Sequence, residues 1–86
     1  MPIVRMYSTQ ICPYCVRAER LLTQKGAQID KILIDHDPEQ QQKMIELTGR
    51  RTVPQIFIGE RHVGGYDDLV DLDLEGELEL LLQADS

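Results

Sequence analysis

No apolar run in the chain approaches the roughly 20 residues needed to span a bilayer. The N-terminal stretch Met-Pro-Ile-Val-Arg-Met-Tyr also lacks the charged, apolar and small-residue order of a secretory signal. A cytoplasmic location and no membrane partner are therefore expected. There is no repeat, linker or low-complexity tract, so residues 1–86 are expected to form a single domain whose limited core folds without staples. Positive charge is scarce: nine Lys and Arg stand against 15 Asp and Glu, a net charge of −6. Such a surface repels phosphate backbones, which argues against nucleic acid as a partner. The imbalance is concentrated between Asp67 and Ser86, where eight acidic side chains occur without one Lys or Arg, a pattern read as a solvated helical surface. Cysteine is scarcer still, with Cys12 and Cys15 alone, and histidine is limited to His36 and His62. A structural zinc site wants four ligands in paired spacing, and two distant histidines do not complete one. No metal site is expected, and a structural disulfide is out of place in a reducing compartment.

The segments that are present alternate between strand-like and helix-like patterns. Residues 3–7 (Ile-Val-Arg-Met-Tyr) suit a strand, with Ile3, Val4 and Met6 able to reach a core. Pro13 favours a helix start at Cys12, and Cys15, Ala18 and Leu22 recur at helical spacing, with Leu21 beside them, until Gly26 stops the run. A second strand is predicted at about residues 28–34. A second helix follows, with Asp37 as cap, Pro38 in the first turn, Met44, Ile45 and Leu47 as its apolar face and Gly49 as its end. Two strands flank a turn at Gly59–Glu60. The Leu-rich acidic stretch after Tyr66 fits both alternation and helical spacing, but its near lack of β-branched residues predicts helix, broken near Gly76. The order is β-α-β-α-β-β-α, with the first two strands parallel and the last two antiparallel.

The chemistry concentrates in Cys12-Pro13-Tyr14-Cys15. A thiol reacts as its thiolate, and a helix start offers backbone N–H groups and a dipole that favour an anion. A fall in pKa from about 8.5 to about 5 corresponds to roughly 4.8 kcal/mol, to be shared among those N–H groups, a hydrogen bond from the Cys15 thiol and Arg17. Cys15, nearly one turn on and facing inward, is placed to resolve a mixed disulfide formed on Cys12, while Pro13 stiffens the turn between them. Further along, Thr52-Val53-Pro54 precedes an apolar strand. A cis bond before Pro54 would turn the Val53 backbone toward a peptide-like ligand, although a proline that merely opens a strand gives the same sequence. In Gly64-Gly65-Tyr66-Asp67-Asp68 the glycines allow close backbone approach, and Asp67 or Asp68 suits a helix cap. The N–H groups of that helix start suit a carboxylate, although a cap without a ligand fits equally.

Taken together and in this order, Cys-Pro-Tyr-Cys, Thr-Val-Pro-Gln-Ile-Phe-Ile-Gly and Gly-Gly-Tyr-Asp-Asp-Leu resemble the glutaredoxin family, most closely its small bacterial dithiol type, from Ile3 to about Leu82. The resemblance implies a thioredoxin fold: an α/β arrangement with a four-stranded mixed sheet flanked by three or four helices and the dithiol opposite a cis proline. It also implies glutathione as reductant and co-substrate without a tightly bound cofactor. Cys12 would be the nucleophile that takes the glutathionyl group and Cys15 the resolving thiol. Tyr14 would flank the tripeptide, Thr52 and Val53 would meet its backbone, and Pro54 would shape the groove. Gly65, Tyr66, Asp67 and Asp68 would meet its γ-glutamyl end. Disulfide-containing or glutathionylated proteins are the implied partners, glutathione reductase acts indirectly through oxidised glutathione, and a monomer is expected. One position departs from the family: Thr9 stands three residues before Cys12, where a lysine that attracts the glycine carboxylate is common. Arg50 or Arg51 is the expected substitute. Two other functions compete. One is a thioredoxin-like carrier reduced by a flavoprotein reductase, disfavoured by the tripeptide-site motifs. The other is an iron–sulfur scaffold bridging two subunits through Cys12 and glutathione, disfavoured by the rigid Pro13.

Overall fold

The computed structural model describes residues 2–83. Four strands, β1 (Val4–Ser8), β2 (Ile29–Leu33), β3 (Gln55–Ile58) and β4 (Arg61–Gly64), form one mixed sheet in the order β2-β1-β3-β4. β1 runs parallel to β2 and antiparallel to β3, and β3 pairs antiparallel with β4. Helices α1 (Pro13–Gln24) and α2 (Pro38–Thr48) connect the strands, and α3 (Tyr66–Leu74) and α4 (Glu77–Gln83) close the described chain. This is the thioredoxin-like arrangement, with four helices because Gly76, at φ +75°, breaks the acidic stretch in two. No helix among the described residues is long and apolar enough to cross a membrane. Asp85, part of the acidic stretch, lies outside the described residues.

Alternation along the strands divides the core between the two faces of the sheet. Val4, Met6, Ile56 and Ile58 point to one face and pack with Ala18 and Leu22 of α1, Leu69 and Leu72 of α3, and Leu78 and Leu82 of α4. Tyr7 and Phe57 point to the other face and meet Ile34 and Met44, the latter from α2. At roughly 1.5–3 kcal/mol for each fully buried large apolar side chain, the first face carries most of the hydrophobic stabilisation. α2 covers its face with little more than Met44, which is fully buried.

Local signals account for the helix bounds. Asp37 caps α2 by accepting from the Gln40 N–H at 3.2 Å, with Pro38 in the first turn. Gly49 ends the helix in the left-handed conformation that glycine adopts without steric cost. Two expected core residues are instead exposed: Ile3 precedes β1, which begins at Val4, and Leu47 turns away from the sheet beside buried Met44. The contact of α2 with its face runs through Met44 and half-buried Ile45.

Candidate active site

Cys12 is the N-cap residue of α1, in extended conformation immediately before Pro13. Its sulfur accepts from the Cys15 N–H at 3.1 Å, so one of the orphan donors of the helix start addresses the sulfur. Cys12 and Cys15 are joined as a disulfide, with Cα atoms 5.2 Å apart. The two cysteines are not equally accessible: Cys12 is 9% exposed and Cys15 3%. The first turn of α1 holds no acidic residue to oppose a thiolate. Thr9, in the place of the family's lysine, directs its hydroxyl to the Ile11 carbonyl at 3.3 Å and so braces the approach to the helix.

A cavity of about 340 Å³ opens beside this helix start, lined by residues from four parts of the chain: Tyr14; Arg50; Thr52, Val53 and Pro54; and Gly65, Tyr66, Asp67 and Asp68. The residues expected from the sequence to meet the tripeptide therefore share one concave surface. The Val53–Pro54 bond is cis, and the Val53 carbonyl oxygen lies 3.9 Å from the Cys12 sulfur. Tyr14 and Tyr66 approach with ring centroids 6.1 Å apart. Arg17 is not on this surface. Its guanidinium sits over the Tyr14 ring, 5.4 Å from the centroid, so it supports the cavity wall rather than the sulfur. Arg51 is exposed and outside the lining, whereas Arg50 belongs to it.

The α3 end of the cavity differs in detail from the sequence expectation. The helix begins at Tyr66, so Gly65 is its N-cap, and Asp67 and Asp68 lie in its first turn. Asp68 caps from inside the helix, accepting the Gly65 N–H at 2.9 Å, and also pairs with Arg50 at 3.2 Å. That N–H bond, supported by the Arg50 charge and opposed by partial burial, holds the Asp68 carboxyl below its ordinary pKa. Gly64 makes this fold-back possible: at φ +119°, any Cβ there would fall on the Asp68 carboxylate.

Sequence reasoning missed the support beneath Thr52. Gln55 is 1% exposed, and its side chain bonds both to Thr52 and to the His62 ring. The available signal was a glutamine opening an otherwise apolar strand, Gln-Ile-Phe-Ile. Chemically, the site offers a sulfur at a helix start, a neighbouring sulfur able to bond with it, and a cavity edged by the Thr52–Pro54 segment, two aromatic rings and mixed charge. Among the described residues no group of three or more His, Cys, Asp or Glu could hold a metal.

The chain is similar to proteins named glutaredoxin. The glutaredoxin family model matches residues 4–63. A glutaredoxin of Pseudomonas aeruginosa is 49% identical over 84 residues, covering 98% of this chain and all of that protein. The solution structure of a glutaredoxin from Brucella melitensis superimposes with a TM-score of 0.85 at 49% identity, covering 96% of this chain and 90% of that one. The crystal structure of a buckwheat glutaredoxin–glutathione complex superimposes with a TM-score of 0.87 at 33% identity, covering 94% and 76%.

Proposed function

This chain belongs to the glutaredoxin family, and from that premise we propose that it reduces glutathione mixed disulfides and protein disulfides with glutathione as co-substrate. It is a thiol-disulfide oxidoreductase, and the observation that carries the finer reading is the cavity beside Cys12. In the reduced protein the Cys12 thiolate attacks the glutathione sulfur of a mixed disulfide. The Cys12–glutathione bond forms, and the substrate leaves as a thiolate that takes a proton from solvent. A second glutathione thiolate then attacks the glutathionyl sulfur, releasing oxidised glutathione and restoring the Cys12 thiolate. With a protein disulfide, Cys12 attacks one protein sulfur and forms a mixed disulfide with it. The protein S–S bond breaks, and the other sulfur leaves as a thiolate that takes a proton from solvent. Deprotonated Cys15 attacks the Cys12 sulfur, the second protein thiolate departs, and the Cys12–Cys15 disulfide remains. Two glutathiones reduce that bond, the first entering at Cys12, the more accessible cysteine.

Within the cavity, the Thr52–Val53 backbone pairs with the central peptide of glutathione, and Tyr14 and Tyr66 flank it. The Gly65–Asp68 helix start receives the γ-glutamyl amine and carboxylate. Arg50 offers a cation to a carboxylate once its bond with Asp68 is shared. Potentials of about −200 to −230 mV for glutaredoxins suit electron flow from a reducing glutathione pool. The Pseudomonas aeruginosa relative being bacterial, the setting we assign is the cytoplasm, with the chain acting as a monomeric single domain.

A coupled assay with glutathione, glutathione reductase and a glutathionylated peptide tests this. Cys12→Ser should abolish turnover of both the peptide and a protein disulfide. Cys15→Ser should lose only protein-disulfide reduction. Equal loss of both activities in Cys15→Ser would refute the division of roles. Reduction of protein disulfides by a flavoprotein reductase, with none by glutathione, would favour the thioredoxin-like carrier.

A further inference from the structure

Gln55 opens a strand whose other members, Ile56, Phe57 and Ile58, are apolar, and its side chain is almost wholly buried. By alternation it shares the α2 face with Phe57, and across the sheet it stands opposite Tyr7. Its amide is anchored at both ends. Nε2 donates to the Thr52 carbonyl at 3.0 Å and to the Thr52 hydroxyl oxygen at 3.2 Å, and Oε1 faces His62 Nε2 at 2.9 Å. These partners fix the chemistry of the trio. Because Nε2 of the glutamine is the donor to a carbonyl, Oε1 must accept, and the His62 ring must carry a proton on Nε2. Burial, with Arg50 adding, holds the His62 pKa below its ordinary value, so at neutral pH the ring is neutral and that proton is its only one. The ring is also seated on Phe57, with centroids 5.0 Å apart.

A methionine or leucine would fill the same volume without the cost of desolvating an amide. What the glutamine adds is a grip on Thr52. That residue is exposed and lies between Gly49 and the start of β3, where no strand ladder fixes the backbone. We propose that Gln55, braced by His62, is a positioning residue for glutathione recognition: by holding the Thr52 carbonyl and hydroxyl, it sets the Val53 backbone against the cavity before the ligand arrives. This inference rests on the reading of the cavity as the glutathione site.

The test compares wild type, Gln55→Met and His62→Phe in steady-state reduction of a glutathionylated peptide, alongside iodoacetamide alkylation of reduced Cys12 and thermal melting. Gln55→Met keeps length and apolar packing but removes the grip. Its KM for the peptide should rise about tenfold, with kcat within about twofold, since both uncharged hydrogen bonds to Thr52 are lost along with the one to His62. His62→Phe keeps an aromatic ring against Phe57 and removes only the brace, so its KM should rise about threefold. Alkylation rates should match wild type in both, because the α1 start is untouched. An unchanged KM in both variants overturns the proposal, as does a fall in kcat and alkylation rate in step with the rise in KM, which marks general loosening. Should Gln55→Met fail to fold, His62→Phe carries the same split of KM from kcat. A wild type that does not use the glutathionylated peptide overturns the site reading and this proposal with it. A wild type that uses it, with KM unmoved in the variants, overturns this proposal alone.

Discussion

Helices α1 and α3 both begin at the cavity, and they answer their first backbone N–H groups in opposite ways. At α1 the cap atom is a sulfur, the first turn has no carboxylate, and the donated N–H comes from Cys15. At α3 the cap residue is a glycine, the first turn carries Asp67 and Asp68, and the Gly65 N–H is taken by Asp68. The first arrangement leaves the favourable field of the helix for a thiolate formed in the reaction. The second spends that field on a resident carboxylate, itself paired with Arg50. A helix start therefore does not define a function until its occupant is known. Here one start is occupied by a cysteine sulfur, while the other holds a carboxylate paired with an arginine.

Three substitutions test the contrast. The largest effect is expected at the α3 end from Gly64→Ala. The positive φ and the collision with Asp68 should lower stability by about 1–3 kcal/mol in urea denaturation. A midpoint equal to wild type would mean that the fold-back of Asp68 is not needed. Next, Val16→Glu places a carboxylate near the α1 start, whose first turn lacks one, at an exposed position one turn from the cap. The Cys12 thiol pKa, followed by thiolate absorbance in the reduced protein, should rise by about half a unit to one unit. An unmoved pKa would show that the lack of acid in the first turn of α1 is incidental. The smallest effect belongs to Asp68→Asn, expected to cost about 0.5–1 kcal/mol near neutral pH because the cap is half-exposed. Its sign with pH is definite. A depressed carboxyl pKa gives stability that is complete above the unfolded value of about 3.9 and is lost as pH falls through the folded one. Melting temperatures of wild type should therefore fall more steeply than those of the variant as pH drops below about 4.

Much of this was legible in the sequence because the signals are local. Asp37-Pro38 and Gly49 bound α2, Cys12-Pro13 opens α1, and Gly76 divides the acidic stretch, each through a conformational preference of the residue itself. The composition of the cavity was legible for a different reason: three short motifs jointly resemble one family, and their residues meet on one surface. What local pattern does not carry is the direction of long polar side chains. Gln55 reaches back three residues and across to His62, and Arg50 reaches 18 residues along the chain to Asp68. Arg17 settles on Tyr14 rather than at the sulfur. Nor does periodicity show how narrow the α2 contact is, which is why Leu47 was expected inside and lies outside.

The scattered lining of the cavity also imposes an order in time. Both thiols lie within the first 15 residues, whereas Arg50, Thr52–Pro54 and Gly65–Asp68 emerge from the ribosome long afterwards. A growing chain thus carries both sulfurs well before the residues that line the cavity beside them have been made.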